Sequence, residues 1–308
     1  MSISKLTKEV RSGAEAGVPL DCLMLADHYR FCVESDLTGA IEWYRRAAEL
    51  GVDEAMLQLA LCYSAGEGVE EDQAEASRWY LIAADRGSRL AQYNLGIRFR
   101  DGVGIKRNIR TALSYLTMAA EQGDVDAQYE LGTLFIERRK HGDGRRWLRK
   151  AAKNGSRSAA YNLGHSFDVD GKNKAAAKWY ARAARLGHDG AAYNLGLLYA
   201  RCGEHKRAAR AYRRAAALGS PEGACNLGVC YFEGKGVSQD VATAVYWYRR
   251  SAEAGYELAF YNLGLCHERG DGVESDVRQA QLCFHYAALR GHHKSIRKLR
   301  SLRNSRRI

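Results

Sequence analysis

A glycine recurs along this chain at a spacing that leaves few folds open. Gly51, Gly87, Gly123, Gly155, Gly187, Gly219, Gly255 and Gly291 each end a stretch resembling WYRRAAELG, with gaps of 36, 36, 32, 32, 32, 36 and 36 residues. Self-similarity at this period marks supersecondary repeats that stack in a row and share a core with their neighbours. With 31 Gly against 2 Pro, and with 18 Tyr and 5 Trp, the chain is neither collagen-like nor disordered.

Each repeat reads as two helices and a turn. Ala192, Leu195, Gly196 and Tyr199 fall at i, i+3, i+4 and i+7, one stripe of a first helix. Ala76, Trp79, Tyr80, Ala83 and Ala84 do the same for a second helix. Small residues facing large aromatics allow a close crossing, and the closing Gly supplies a left-handed cap. One such pair cannot bury its apolar face alone, whereas stacked pairs can, so the prediction is an all-α solenoid.

Four repeats carry a longer inter-helix turn: GEGVEED from Gly66, GVGIKRN from Gly102, GKGVSQD from Gly234 and GDGVESD from Gly270. No strand pattern precedes the Gly pair and no Lys-Ser/Thr follows it, so these are turns and not phosphate loops. Asp72, Asn108, Asp240 and Asp276 then stand at the N-caps of the second helices. The three middle repeats lose both the Gly pair and that cap.

The pattern A-x-Y-N-L-G-x-x-Y, G-x-G-V-x-x-D, A-x-x-W-Y-x-x-A-A-x-x-G resembles the Sel-one-like repeat, a relative of the tetratricopeptide repeat. The resemblance covers eight repeats over residues 20–291, with residues 1–19 and the basic segment 292–308 expected as capping helices. It implies a right-handed superhelix of antiparallel helix pairs that binds other proteins as adaptor or regulator, without catalysis. The eight Cys do not follow the pairing register of the secreted Cys-rich members. They contain no CxxC pair, so they are expected reduced and mostly buried.

The face of each first helix opposite the packing stripe carries a recurring amide: Gln58, Asn94, Asn162, Asn194, Asn226 and Asn262. Beside it runs a mostly apolar row, Leu61, Ile97, His165, Leu197, Val229 and Leu265. An amide can bond both N–H and C=O of an extended peptide, and apolar rows beside it give side-chain pockets. In tetratricopeptide-like folds this helix lines the concave groove, so the resemblance implies a peptide-contacting role. The competing reading is that the Asn is a solvated repeat residue and the apolar row packs on neighbouring first helices. Asp126, Glu130, Thr133 and Glu137 interrupt the row in the fourth repeat.

Charge is uneven. Residues 1–137 hold 14 basic and 22 acidic side chains, and residues 138–214 hold 20 and 5, within a chain of net charge +11. On the second helices of the middle repeats, Arg146, Lys150 and Lys153, then Lys174, Lys178, Arg182 and Arg185, then Lys206, Arg210 and Arg214 lie opposite the Trp/Ala stripe. Such a stripe binds phosphate or an acidic protein surface, or simply keeps a helical face solvated. Aromatics are not interleaved along it as platforms for single-stranded nucleic acid require. The tail keeps Ile296, Leu299 and Leu302 at helical spacing, and Ser4 to Gly17 is the matching cap at the other end.

No HExxH, GxSxG or kinase motif is present, and His292 with His293 is a weak metal signal. No apolar run reaches the length of a membrane span, and the first residues lack the apolar core of a secretory signal, which points to the cytoplasm. The expectation is a non-enzymatic scaffold with no cofactor, binding a protein or peptide in its groove. Two alternatives are a neutralising, immunity-like partner in one tight complex with an enzyme or toxin, and a nucleic-acid or anionic-surface binder using the stripe.

Overall fold

The computed structural model describes residues 3–32 and 36–304, with side chains between residues 8 and 300 of that range. Contacts divide the chain into two compact units, Met1–Ala151 and Ala152–Ile308. The first holds α1 (Ile3–Glu15), α2 (Pro19–Phe31), α3 (Leu37–Glu49), α4 (Asp53–Ala65), α5 (Gln73–Asp85), α6 (Arg89–Asp101), α7 (Ile109–Glu121), α8 (Val125–Glu137) and most of α9 (His141–Lys153). The second holds α10 (Arg157–Val169), α11 (Asn173–Arg185), α12 (Asp189–Arg201), α13 (His205–Ala217), α14 (Pro221–Glu233), α15 (Val241–Glu253), α16 (Glu257–Arg269), α17 (Val277–Leu289) and α18 (His293–Asn304). Among the described residues there is no strand. The Leu302 side chain, the side chains of residues 3–7 and residues 305–308 lie outside the described part.

Consecutive helices pack on one another, from α1 to α8 in the first unit and from α10 to α18 in the second. The architecture is therefore the all-α array of helix hairpins that the glycine period predicts. First helices are the even-numbered α2 to α16; second helices are the odd-numbered α3 to α17.

The eighth residue of each first helix sets the crossing distance. It is Ala26 or Ala60 in the first two hairpins and Gly in the other six. Facing it is the eighth residue of the second helix, always large. A Cβ on Gly196 would lie 2.4 Å from ring carbons of Tyr212, and one on Gly132 would lie 2.7 Å from Leu148 Cγ. Tyr44, Tyr80, Tyr180 and Phe284 are completely or almost completely buried at that position.

The turns also follow the sequence. Asp72 accepts from the N–H groups of Ala74 and Glu75, and Asn108 from those of Arg110 and Thr111. Asp240 and Asp276 cap α15 and α17 in the same way. The second Gly of each long turn presses on the start of the preceding second helix. A Cβ on Gly104 would lie 1.8 Å from the Gln73 carbonyl oxygen, which explains the Gly pair without any ligand.

Candidate functional site

The amide row lies at the sixth position of the first helices, and the structure shows it turned partly inward. In the second unit Asn194 Nδ2 donates to Tyr161 Oη at 3.1 Å. Asn262 Nδ2 lies 3.5 Å from Cys225 Sγ. Each of these bonds ties one repeat to the one before it. In the first unit Arg30 donates to Gln58 Oε1 at 2.7 Å, and Asn94 Nδ2 returns to the Leu90 carbonyl of its own helix at 2.9 Å. Every amide of the row is half-buried. An amide has two donors and two acceptor lone pairs, so one internal bond leaves capacity for a ligand.

The acidic interruption belongs to the same register. Glu130 takes the place of the Asn and pairs with Arg100 of the preceding first helix, as Gln58 is held by Arg30 one repeat earlier.

In the apolar row, Leu61, Ile97 and Val229 pack against buried clusters of their own unit, which fits the packing reading. Leu265 is half-buried. Leu197 is different, with 39% of its surface exposed, and His165 is exposed as well. The row therefore offers a ligand a free side chain in only a few places.

Most of the basic residues are on the surface. Arg146 and Lys150 belong to the first unit, and Lys150 Nζ sits 4.1 Å above the Trp147 ring. In the second unit Lys153, Lys174, Lys178, Arg185, Lys206, Arg210 and Arg214 are exposed. Arg182 departs from the expectation. It is half-buried and donates to the Ala152 and Lys153 carbonyls, closing the C-terminus of α9.

Several structural residues stand outside the rows and the stripe described above. Arg98 is 7% exposed, yet no carboxylate among the described residues pairs with it. Its guanidinium instead reaches Ser64 Oγ at 2.6 Å, Gln73 Oε1 at 2.9 Å and Ser77 Oγ at 3.2 Å, and stands over the Tyr80 ring. His188 Nδ1 accepts from the Ala191 N–H, capping α12 where Ser88, Asp124, Ser156 and Ser220 cap their own first helices. Those capping residues do follow the recurring Gly directly, a signal the sequence contained. The Tyr161–Asn194 link was foreshadowed only by the recurring Tyr-Asn dipeptide.

The cysteines Cys22, Cys62, Cys225, Cys230 and Cys266 are buried, and Cys202 is exposed. Burial pushes the Cys225 thiol up to about 12 and the Cys266 thiol up to about 11, so both are protonated and weakly nucleophilic at neutral pH. Among the described residues no group of three or more His, Cys, Asp or Glu is placed to hold a metal. No described helix is long and apolar enough to cross a membrane.

Comparison with known proteins agrees with this geometry. A sequence search of curated proteins found no match. Among solved structures, a protective antigen of uropathogenic Escherichia coli strains with an SLR fold is 31% identical over 97% of this chain and 67% of its own, with a TM-score of 0.75. A Sel1 repeat protein from Oxalobacter formigenes is 28% identical over 96% of this chain and 89% of its own, with a TM-score of 0.77. The Sel1 repeat model matches residues 20–52, 53–88, 89–124, 125–156, 157–188, 221–256 and 258–292; the span between 188 and 221 holds the further hairpin of α12 and α13. With the matched repeats covering most of its length, the chain belongs to the Sel1 repeat family.

Proposed function

We propose that this chain is a non-catalytic scaffold that binds a protein partner on the first-helix face of its second unit. Sel1 repeats generally build protein–protein interaction scaffolds, which supplies the class of function. The observation that carries the choice of face is Leu197. A leucine exposed over 39% of its surface sits on α12 beside half-buried amides, with His165 exposed on α10. An apolar anchor flanked by amides with spare donors suits an extended polypeptide, which needs side-chain pockets and main-chain partners together.

A photo-crosslinking amino acid at position 197 tests this reading in native lysate. The expected result is a covalent adduct of one defined mass, absent when the same group stands at the exposed position 217. Equal labelling from both positions overturns the choice of face.

The basic stripe supports a second reading, an anionic protein partner on the second-helix face. Lys174, Lys178, Arg185, Lys206, Arg210 and Arg214 have no ion-pair partner among the described residues.

A further inference from the structure

The seventh residue of each second helix is Trp43, Trp79, Tyr115, Trp147, Trp179, Ala211, Trp247 and Cys283 in chain order. In the first unit Trp147 of α9 packs in one cluster with Ala120 of α7 and Leu131 of α8. Trp247 of α15 packs against the cluster that holds Ala208 of α13 and Leu227 of α14, the same leucine position as Leu131. The ring thus fills the groove between successive second helices and covers the leucine of the first helix beneath.

In α13 the ring is missing. Ala211 stands where the indole belongs, and it lines an open groove of about 520 Å³, within the size range of ligand pockets. Its floor is Ala184 of α11 and Leu195 of α12, the counterparts of the Ala120 and Leu131 that Trp147 covers. The leucines record the loss. Leu59, Leu95, Leu131, Leu163 and Leu227 are 0% exposed, whereas Leu195 is 8% exposed. Leu263, at 6%, has the small Cys283 at its own repeat's seventh position.

The cation that goes with the ring is still present. Three residues later in the second helix, Arg46 stands over Trp43, Lys150 over Trp147 and Arg250 over Trp247. Arg214 holds that place in α13 with no ring to cover. Arg185, Arg207 and Arg210 line the same cavity; Arg207 is paired with Glu204 at 2.6 Å and stands over the Tyr199 ring, which leaves Arg185, Arg210 and Arg214 as the cations open to a ligand. The groove continues past Tyr199 into a second cavity of about 310 Å³ bordered by Lys174, Lys178 and Glu204.

We propose that the groove between α11 and α13 takes an aromatic side chain from an acidic segment of a partner protein, seated where Ala211 leaves out the repeat's own indole. The apolar floor and Tyr199 suit a ring, the arginine rim suits flanking Asp or Glu, and the elongated groove suits an extended chain better than a compact molecule. This proposal concerns the second-helix face and does not depend on the Leu197 face.

The probe is a fluorescent peptide of about nine residues with one central Trp flanked by Asp and Glu, titrated against the full chain in low salt. A control peptide has Ala for Trp, and a separate titration uses ATP. Burial of one indole predicts that the Trp peptide binds about tenfold tighter or more than the Ala peptide. Ala211→Trp fills the cavity from within and should abolish that preference while leaving the chain folded. Arg210→Gln with Arg214→Gln changes only exposed side chains and should weaken the Trp peptide about tenfold, so a folding failure of the first variant does not end the test. Equal affinity for the two peptides, no peptide binding, or Ala211-dependent binding of ATP alone each overturns the proposal.

Discussion

A glycine in mid-helix ordinarily lowers stability by about 1 kcal/mol relative to alanine, so a propensity argument has Gly196→Ala stabilising the chain. The structure reverses the sign. The added Cβ would meet the Tyr212 ring at 2.4 Å, and overpacking of that kind costs about 1–3 kcal/mol. We expect Gly196→Ala to lower the urea midpoint and Gly196→Leu to lower it further. Arg98 makes a second residue-scale case. Leu134 and Leu198 occupy its place in the first helices α8 and α12, so the site accepts an apolar side chain. Arg98→Leu nevertheless leaves Ser64, Gln73 and Ser77 short of a donor, and a loss of at least about 2 kcal/mol in denaturant unfolding is expected. The close crossings were legible because small and large residues alternate at fixed register. Arg98 was not, because its partners come from α4 and α5 and nothing near it in sequence announces a buried cation.

At the scale of the helix, caps carry the prediction. His188 caps α12 with Nδ1 as acceptor and stacks on Tyr161 at 4.4 Å between ring centroids, a role open only to the neutral ring. Burial accordingly lowers its pKa below the ordinary histidine value of 6.5. The unfolded chain then takes up the proton first, so the stabilisation is complete above about pH 6.5 and is lost as pH falls through the lowered value. Thermal melts from pH 7 to pH 5 should show this slope, and His188→Ser, which copies the cap of α10 and α14, should flatten it in part. His292 is also shifted downward by burial and keeps a remainder of the slope. Helix ends, the caps of the long turns and the Gly pairs could be read from the sequence because turn chemistry is local. The direction of the amide row could not. An angle around a helix axis says which side a residue lies on, but not that Tyr161 reaches across to hold Asn194.

At the scale of the whole chain, the residues between 138 and 214 carry 20 basic and 5 acidic side chains, and the structure separates the free cations from the engaged ones. Arg182 closes α9 and does not belong in a charge-reversal test. Reversal of Lys178, Arg210 and Arg214 to Glu should cut retention on an anionic resin and flatten its salt dependence in proportion to the cations removed, while the melting temperature stays nearly fixed. Hairpins that touch only their neighbours also localise damage. In hydrogen exchange, Gly196→Ala should lose protection first in α11 to α14, and protection spread evenly over the second unit would contradict that picture. Repeat number and hairpin order were visible in the glycine period. The missing indole of α13 was visible too, as an Ala within a column of Trp, but its meaning needed the cavity beneath it.

The hydroxyl of Tyr161 makes the amide row self-reporting. A segment that uses the spare donor and acceptor of the Asn194 side chain perturbs the bond this amide donates to the phenol, and a phenol whose donor is perturbed shifts its near-ultraviolet absorption. Occupancy of that face is therefore readable by difference spectroscopy on the unlabelled protein, before any partner has been identified.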